Sequence, residues 1–79
     1  MACINPDGTL SPTGRTLLRA MPGPSDPEGL SSDLLSQQTG VPLYRVRASV
    51  REFLGAGLIN DEQFLYRRTS AGDEVLART

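Results

Sequence analysis

Two glycines, Gly40 and Gly57, bracket the stretch that most restricts how this chain can fold. Between them Leu43, Val46, Val50, Phe53 and Leu54 recur at helical spacing and form one apolar stripe. At about 100° per residue, Tyr44, Ala48, Arg51 and Gly55 centre the opposite face, with Arg45 and Arg47 on its flanks. A helix with one dry side and one arginine-edged side must lay the first on a core and show the second to solvent. Just upstream, Asp33 to Gln38 reads as a shorter helix burying Leu34 and Leu35. Thr39-Gly40 ends it, because glycine takes the left-handed backbone of a helix terminus without steric cost. The spacing therefore predicts helix, tight turn, a longer helix over Pro42 to Ala56, a glycine stop at Gly57, and then a strand.

Composition limits what this unit can belong to. The chain has 79 residues, 38% hydrophobic and 5% aromatic, enough for one small domain with a modest Leu, Val and Phe core. Marginal stability is expected, and dimerisation would add to it. The formal charge of −1 is far from the basic balance of a general nucleic-acid binder. All 8 basic residues are arginine, whose planar fork suits phosphate or guanine, although a GC-rich genome would give the same usage. Cys3 is the one cysteine and there is no histidine, so neither an intrachain disulfide nor a zinc site is expected, only a free thiol in a reducing cytoplasm. Nothing reads as a signal peptide or a membrane span, which points to a soluble, cytoplasmic chain.

Outside the central stretch the signals are local. Residues 1–10 carry a Pro6-Asp7-Gly8 turn without periodicity and are expected to form a loose N-terminal arm, leaving 11–79 as the folded domain. Ser11-Pro12 opens a helix with Leu17, Leu18 and Met21 on its stripe, and Pro22-Gly23-Pro24 stops it. Asp26-Pro27-Glu28 could start the next helix. The later start, with Leu30 extended and Ser31 or Ser32 as cap, avoids placing Gly29 in a first helical turn. After Leu58-Ile59, a turn at Asp61-Glu62-Gln63 should return the chain as a strand over Phe64 to Arg68. Alternation sends Phe64, Tyr66 and Arg68 to one face, Leu65 and Arg67 to the other. Thr69 can cap a last helix holding Val75 and Leu76.

Four short patterns stand in a fixed order: Leu35-Ser36 before Gly40; Val46, Val50 and Phe53 facing inward; Ala56-Gly57-Leu58-Ile59; and Tyr66 to Gly72, YRRTSAG. Together, over roughly residues 10–76, they resemble the winged helix-turn-helix domains of bacterial and archaeal transcription regulators. The resemblance implies a mainly α fold with a small β-hairpin: three helices, the wing, and a short C-terminal helix. Ser36 stands where the family has alanine, still small enough for a close helix crossing. Arg68 replaces an apolar residue, which would loosen the hairpin or turn that face outward. The wing is short and its tip acidic at Asp61 and Glu62, where DNA-binding relatives are basic.

The resemblance further implies sequence-specific binding of double-stranded DNA, with the helix Pro42–Ala56 in the major groove. Tyr44, Arg45, Arg47 and Ala48 would then lie nearest the base edges, and Arg51 further along. Arg67 or Arg68 would touch backbone beside the wing, and the amides near Ser31 and Ser32 would accept a phosphate. Between Val41 and Ile59 three arginines stand against Glu52 alone, a local excess of positive charge in an acidic chain. A plain solvated face, with Arg45 or Arg51 paired to Glu52 or Asp33, would explain the same residues. A protein-docking or dimerisation module on the same fold suits the net charge and the acids after Asn60. An enzyme is not expected: no histidine serves as a base, Cys3 has no partner, and no glycine-rich phosphate loop precedes a helix. No cofactor or metal is implied.

Overall fold

Serine and proline set the first helix as their chemistry requires. The Ser11 hydroxyl accepts the Gly14 amide at 3.1 Å, and Pro12 occupies the first helical position, where no amide is needed. The computed structural model describes residues 3–78; Met1 and Ala2 of the expected arm, and Thr79, lie outside the described residues. Among the described residues four helices and one antiparallel hairpin follow in order: α1 Pro12–Ala20, α2 Ser32–Thr39, α3 Leu43–Gly55, β1 Ile59–Glu62, β2 Leu65–Arg68 and α4 Ser70–Arg78. A mainly helical fold with a small hairpin is thus what the chain adopts.

The later start of the second helix is the one taken. Ser31 caps α2 by accepting the Leu34 amide at 3.2 Å, and Gly40 closes it at φ 77° while donating to the Ser36 carbonyl. Ser36 tightens the following turn, its hydroxyl donating to the Val41 carbonyl at 2.7 Å. At the far end of α3 the Leu58 amide reaches back to Phe53 and the Gly57 amide to Leu54, the paired bonds of a Schellman ending. That ending aims Leu58 and Ile59 into the core beside Phe53.

The core gathers Leu17, Leu18 and Met21 of the α1 region, Leu35, Val46, Val50 and Phe53, with Leu58, Ile59, Tyr66 and Val75 closing it. Two stripe residues depart from expectation. Leu34 faces outward on α2, and Leu54 lies at the exposed edge of the α3 stripe, 36% exposed. Ser49 takes the buried place between Val46 and Val50 and meets the Cys3 thiol.

The segment 3–10, expected as a loose arm, is instead tied to α3 at its start, through Cys3 and Ile4. The Cys3 and Ile4 amides both donate to the Glu52 carboxylate, at 2.9 and 3.1 Å, and Ile4 bridges to Leu10. The docking depends on Gly14: a Cβ there would stand 2.4 Å from the Cys3 carbonyl oxygen.

The hairpin also differs in register. The pairs run Ile59 with Arg68 to Glu62 with Leu65, so the turn is Gln63-Phe64 rather than Asp61 to Gln63, and Phe64 belongs to no strand. Both turn residues have positive φ, 56° and 64°, the backbone of a two-residue hairpin turn that normally carries asparagine or glycine. Asp61 holds the turn by accepting the Phe64 amide at 2.9 Å. Leu30 exchanges two backbone bonds with Tyr66, so the extended segment before α2 lies along the other edge of β2.

Candidate nucleic-acid interface

The expected site residues divide into three groups in space. α3 carries Arg47 and Arg51 on its exposed side, next to the start of α2. With Ser31, Ser32, Val50 and Phe64 they line one open concavity bounded by α2, α3 and the hairpin. Neither guanidinium has an ion pair or hydrogen bond to another described residue. Asp33 and Asp61 line the same concavity, so its formal charges balance. Arg51 and Glu52 do not pair; the Glu52 carboxylate instead accepts the Cys3 and Ile4 amides.

Tyr44, Arg45 and Ala48 lie one helical face further round. They line a separate hollow with Cys3, Ser11 and Thr13, between the start of α3 and the docked segment. Tyr44 is 73% exposed, and Arg45 is held in an interaction of its own. The arginine-edged face of α3 therefore opens toward two different neighbours.

Arg67 and Arg68 form the third group, and both are engaged within the fold, each side chain only 20% exposed. Arg67 pairs with Glu62 diagonally across the hairpin and donates to the Asp26 carbonyl at 2.7 Å. Arg68 points to the core side, donates to Asp73 at 2.6 Å, and donates to the carbonyls of Met21 at 2.8 Å and Leu18 at 3.2 Å. Those carbonyls end α1, where the helix leaves acceptors unpaired and its dipole is negative. The loosening expected at Arg68 is not seen: its guanidinium ties β2 to Asp73 and to the carbonyls at the end of α1. As contacts for a backbone phosphate, neither Arg67 nor Arg68 presents a free guanidinium.

Ser31 and Ser32 sit where expected, at the start of α2, with the Ser31 hydroxyl already used as the cap. Sequence reading missed Phe64, placed in a strand by alternation, and the anchoring role of Glu52. Positive φ at two residues without Gly or Asn leaves no local trace, and an anchor 49 residues from its partner leaves none either. Among titrating groups, Asp7 stands out: the Thr9 hydroxyl and then the Thr9 amide hold its carboxyl below the usual aspartate range. No cluster of three metal-ligating side chains occurs among the described residues, and none of the described helices is long and apolar enough to cross a membrane. Set against known protein families, characterised proteins and solved structures, the chain matches none.

Proposed function

We propose that this chain is a winged helix-turn-helix domain that binds double-stranded DNA sequence-specifically, as a small cytoplasmic transcription regulator rather than an enzyme. The observation that carries the reading is the pair Arg47 and Arg51, exposed on α3, without partners among the described residues, beside the amino end of α2. An α-helix fits the major groove, and there Arg47 would grip a guanine edge through both prongs of its fork. Arg51, one turn on, would reach a phosphate, and a second phosphate would sit against the α2 amides near Ser31 and Ser32. Tyr44 and Ala48 would meet bases at the other flank of the groove, and Arg45 would join them only by leaving the interaction that holds it. Arg67 and Arg68 are left out of the interface, since the fold uses their charge. A homodimer on two half-sites would suit so small a domain.

Titration of duplex DNA at several salt concentrations tests this. Log affinity should fall against log salt with a slope of about −0.9 per phosphate contact. Arg47→Ala should weaken the preferred sequence by about 1–3 kcal/mol and unrelated sequences less. Equal weakening for every sequence would make Arg47 a phosphate contact, and no binding at low salt would remove the reading.

One observation favours a second reading, a protein-docking module. The exposed strand β1 carries Asn60, Asp61 and Glu62, and the only arginines in β2 are both occupied, so the wing turns no free cation outward. Such a module would ignore duplex DNA and bind a partner protein through that face.

A further inference from the structure

Phe64 contributes nothing to the core and sits in a backbone that suits it badly. Its side chain is 76% exposed, and at φ 64° it holds a conformation that bulky L-residues avoid and glycine or asparagine takes freely. The conformation is imposed from outside, by the Asp61 carboxylate on the Phe64 amide and by the hairpin bracing of Arg67 with Glu62. A strained, solvated aromatic ring at a turn tip asks for a reason beyond folding. Its surroundings suggest one: the ring lines the same concavity as Arg47 and Arg51. Because Asp33 and Asp61 also line it, the concavity has no excess of positive charge to hold a polyanion by attraction alone. A flat apolar face would supply what the electrostatics do not. A ligand carrying both phosphates and aromatic rings, a nucleic acid, satisfies the guanidinium groups and the phenyl ring together.

Resting on the duplex reading above, we propose that Phe64 is the wing's contact with DNA: its ring stacks on a base, wedging at one step beside the segment read by α3. This gives the hairpin tip an apolar role in place of a cationic one. Wedging partly unstacks the step and bends the duplex, so flexible pyrimidine–purine steps should be preferred beneath the tip.

The test uses the full chain and a duplex selected from a randomised 20-base-pair pool. Phe64→Gly relieves the positive φ, so its melting temperature should rise by a few degrees, while affinity for the selected duplex falls about tenfold to a hundredfold. The salt slope should stay unchanged, since no phosphate contact is lost. In Phe64→Trp the new side chain is the only tryptophan in the chain, and its fluorescence should be quenched when that duplex is added. Unchanged affinity in Phe64→Gly, with Arg47→Ala still impaired, overturns the stacking role and leaves duplex binding standing. A lower melting temperature with unchanged affinity overturns it in favour of a structural ring. A tryptophan signal that responds to an acidic peptide and ignores the duplex overturns it in favour of a protein partner. Failure of the wild-type chain to enrich any duplex overturns both readings.

Discussion

Arg47 and Arg51 on α3 carry the same guanidinium group as Arg67 and Arg68 on β2, yet the two pairs meet opposite fates. The α3 pair stands in solvent with no partner among the described residues; the β2 pair is locked to Glu62, Asp73 and the carbonyls that end α1. The difference lies in the acceptors each pair finds. β2 runs past the carbonyls that end α1, and opposite Glu62 in the hairpin, so arginine there becomes structure. On α3 the nearest acid in sequence, Glu52, is spent on the docked segment, and Asp33 and Asp61 share the concavity with Arg47 and Arg51 without pairing to them. Charge counted along a sequence therefore misstates the charge available to a partner.

Substitutions can break this contrast. The largest effect should come from Arg68→Ala, which strips donors from the α1 terminus and leaves Asp73 without its partner. A loss of about 2–4 kcal/mol is expected, read as a lower urea midpoint at unchanged slope. Arg47→Ala should leave stability within about 0.5 kcal/mol while weakening the preferred duplex, the reverse pattern. If both substitutions destabilised equally, the contrast would collapse.

Glu52→Ala should cost about 1–2 kcal/mol, because two amides lose their acceptor. Faster hydrogen exchange at Cys3 and Ile4, with the α3 amides still protected, would mark release of the docked segment alone. Arg67→Ala, breaking a pair whose Glu62 partner is largely exposed, should cost under about 1 kcal/mol. The smallest effect concerns Asp7. A carboxyl held below its usual range adds stability above the unfolded value, near pH 4, and loses it as pH falls through the lower folded value. The turn from Asn5 to Thr9 should therefore loosen only in acid, visible as amide shifts at Gly8 and Thr9.

Much of the fold was legible because its signals are local. Ser11-Pro12 before α1, Ser31 before α2, Gly40 after it, and Gly57-Leu58 after α3 each act within one helical turn. What escaped depends on distant chain. The segment 3–10 reads as loose because its Asp-Gly turn says nothing about Glu52, and Arg68 reads as loosening the hairpin because the carbonyls it caps lie 47 and 50 residues away. Alternation continues through Phe64 and so predicts a strand there, while the turn around it is held by a carboxylate rather than by its own residue types. The candidate site was legible to the same extent: the helix and its exposed arginines followed from periodicity, but which arginines the fold consumes did not.

The most direct measurement is an NMR titration with duplex DNA, observing the guanidinium Nε–Hε signals of all four arginines at once. The account predicts that Arg47 and Arg51 shift on binding while Arg67 and Arg68 keep their positions. Movement at Arg67 and Arg68 with Arg47 and Arg51 unchanged would contradict it.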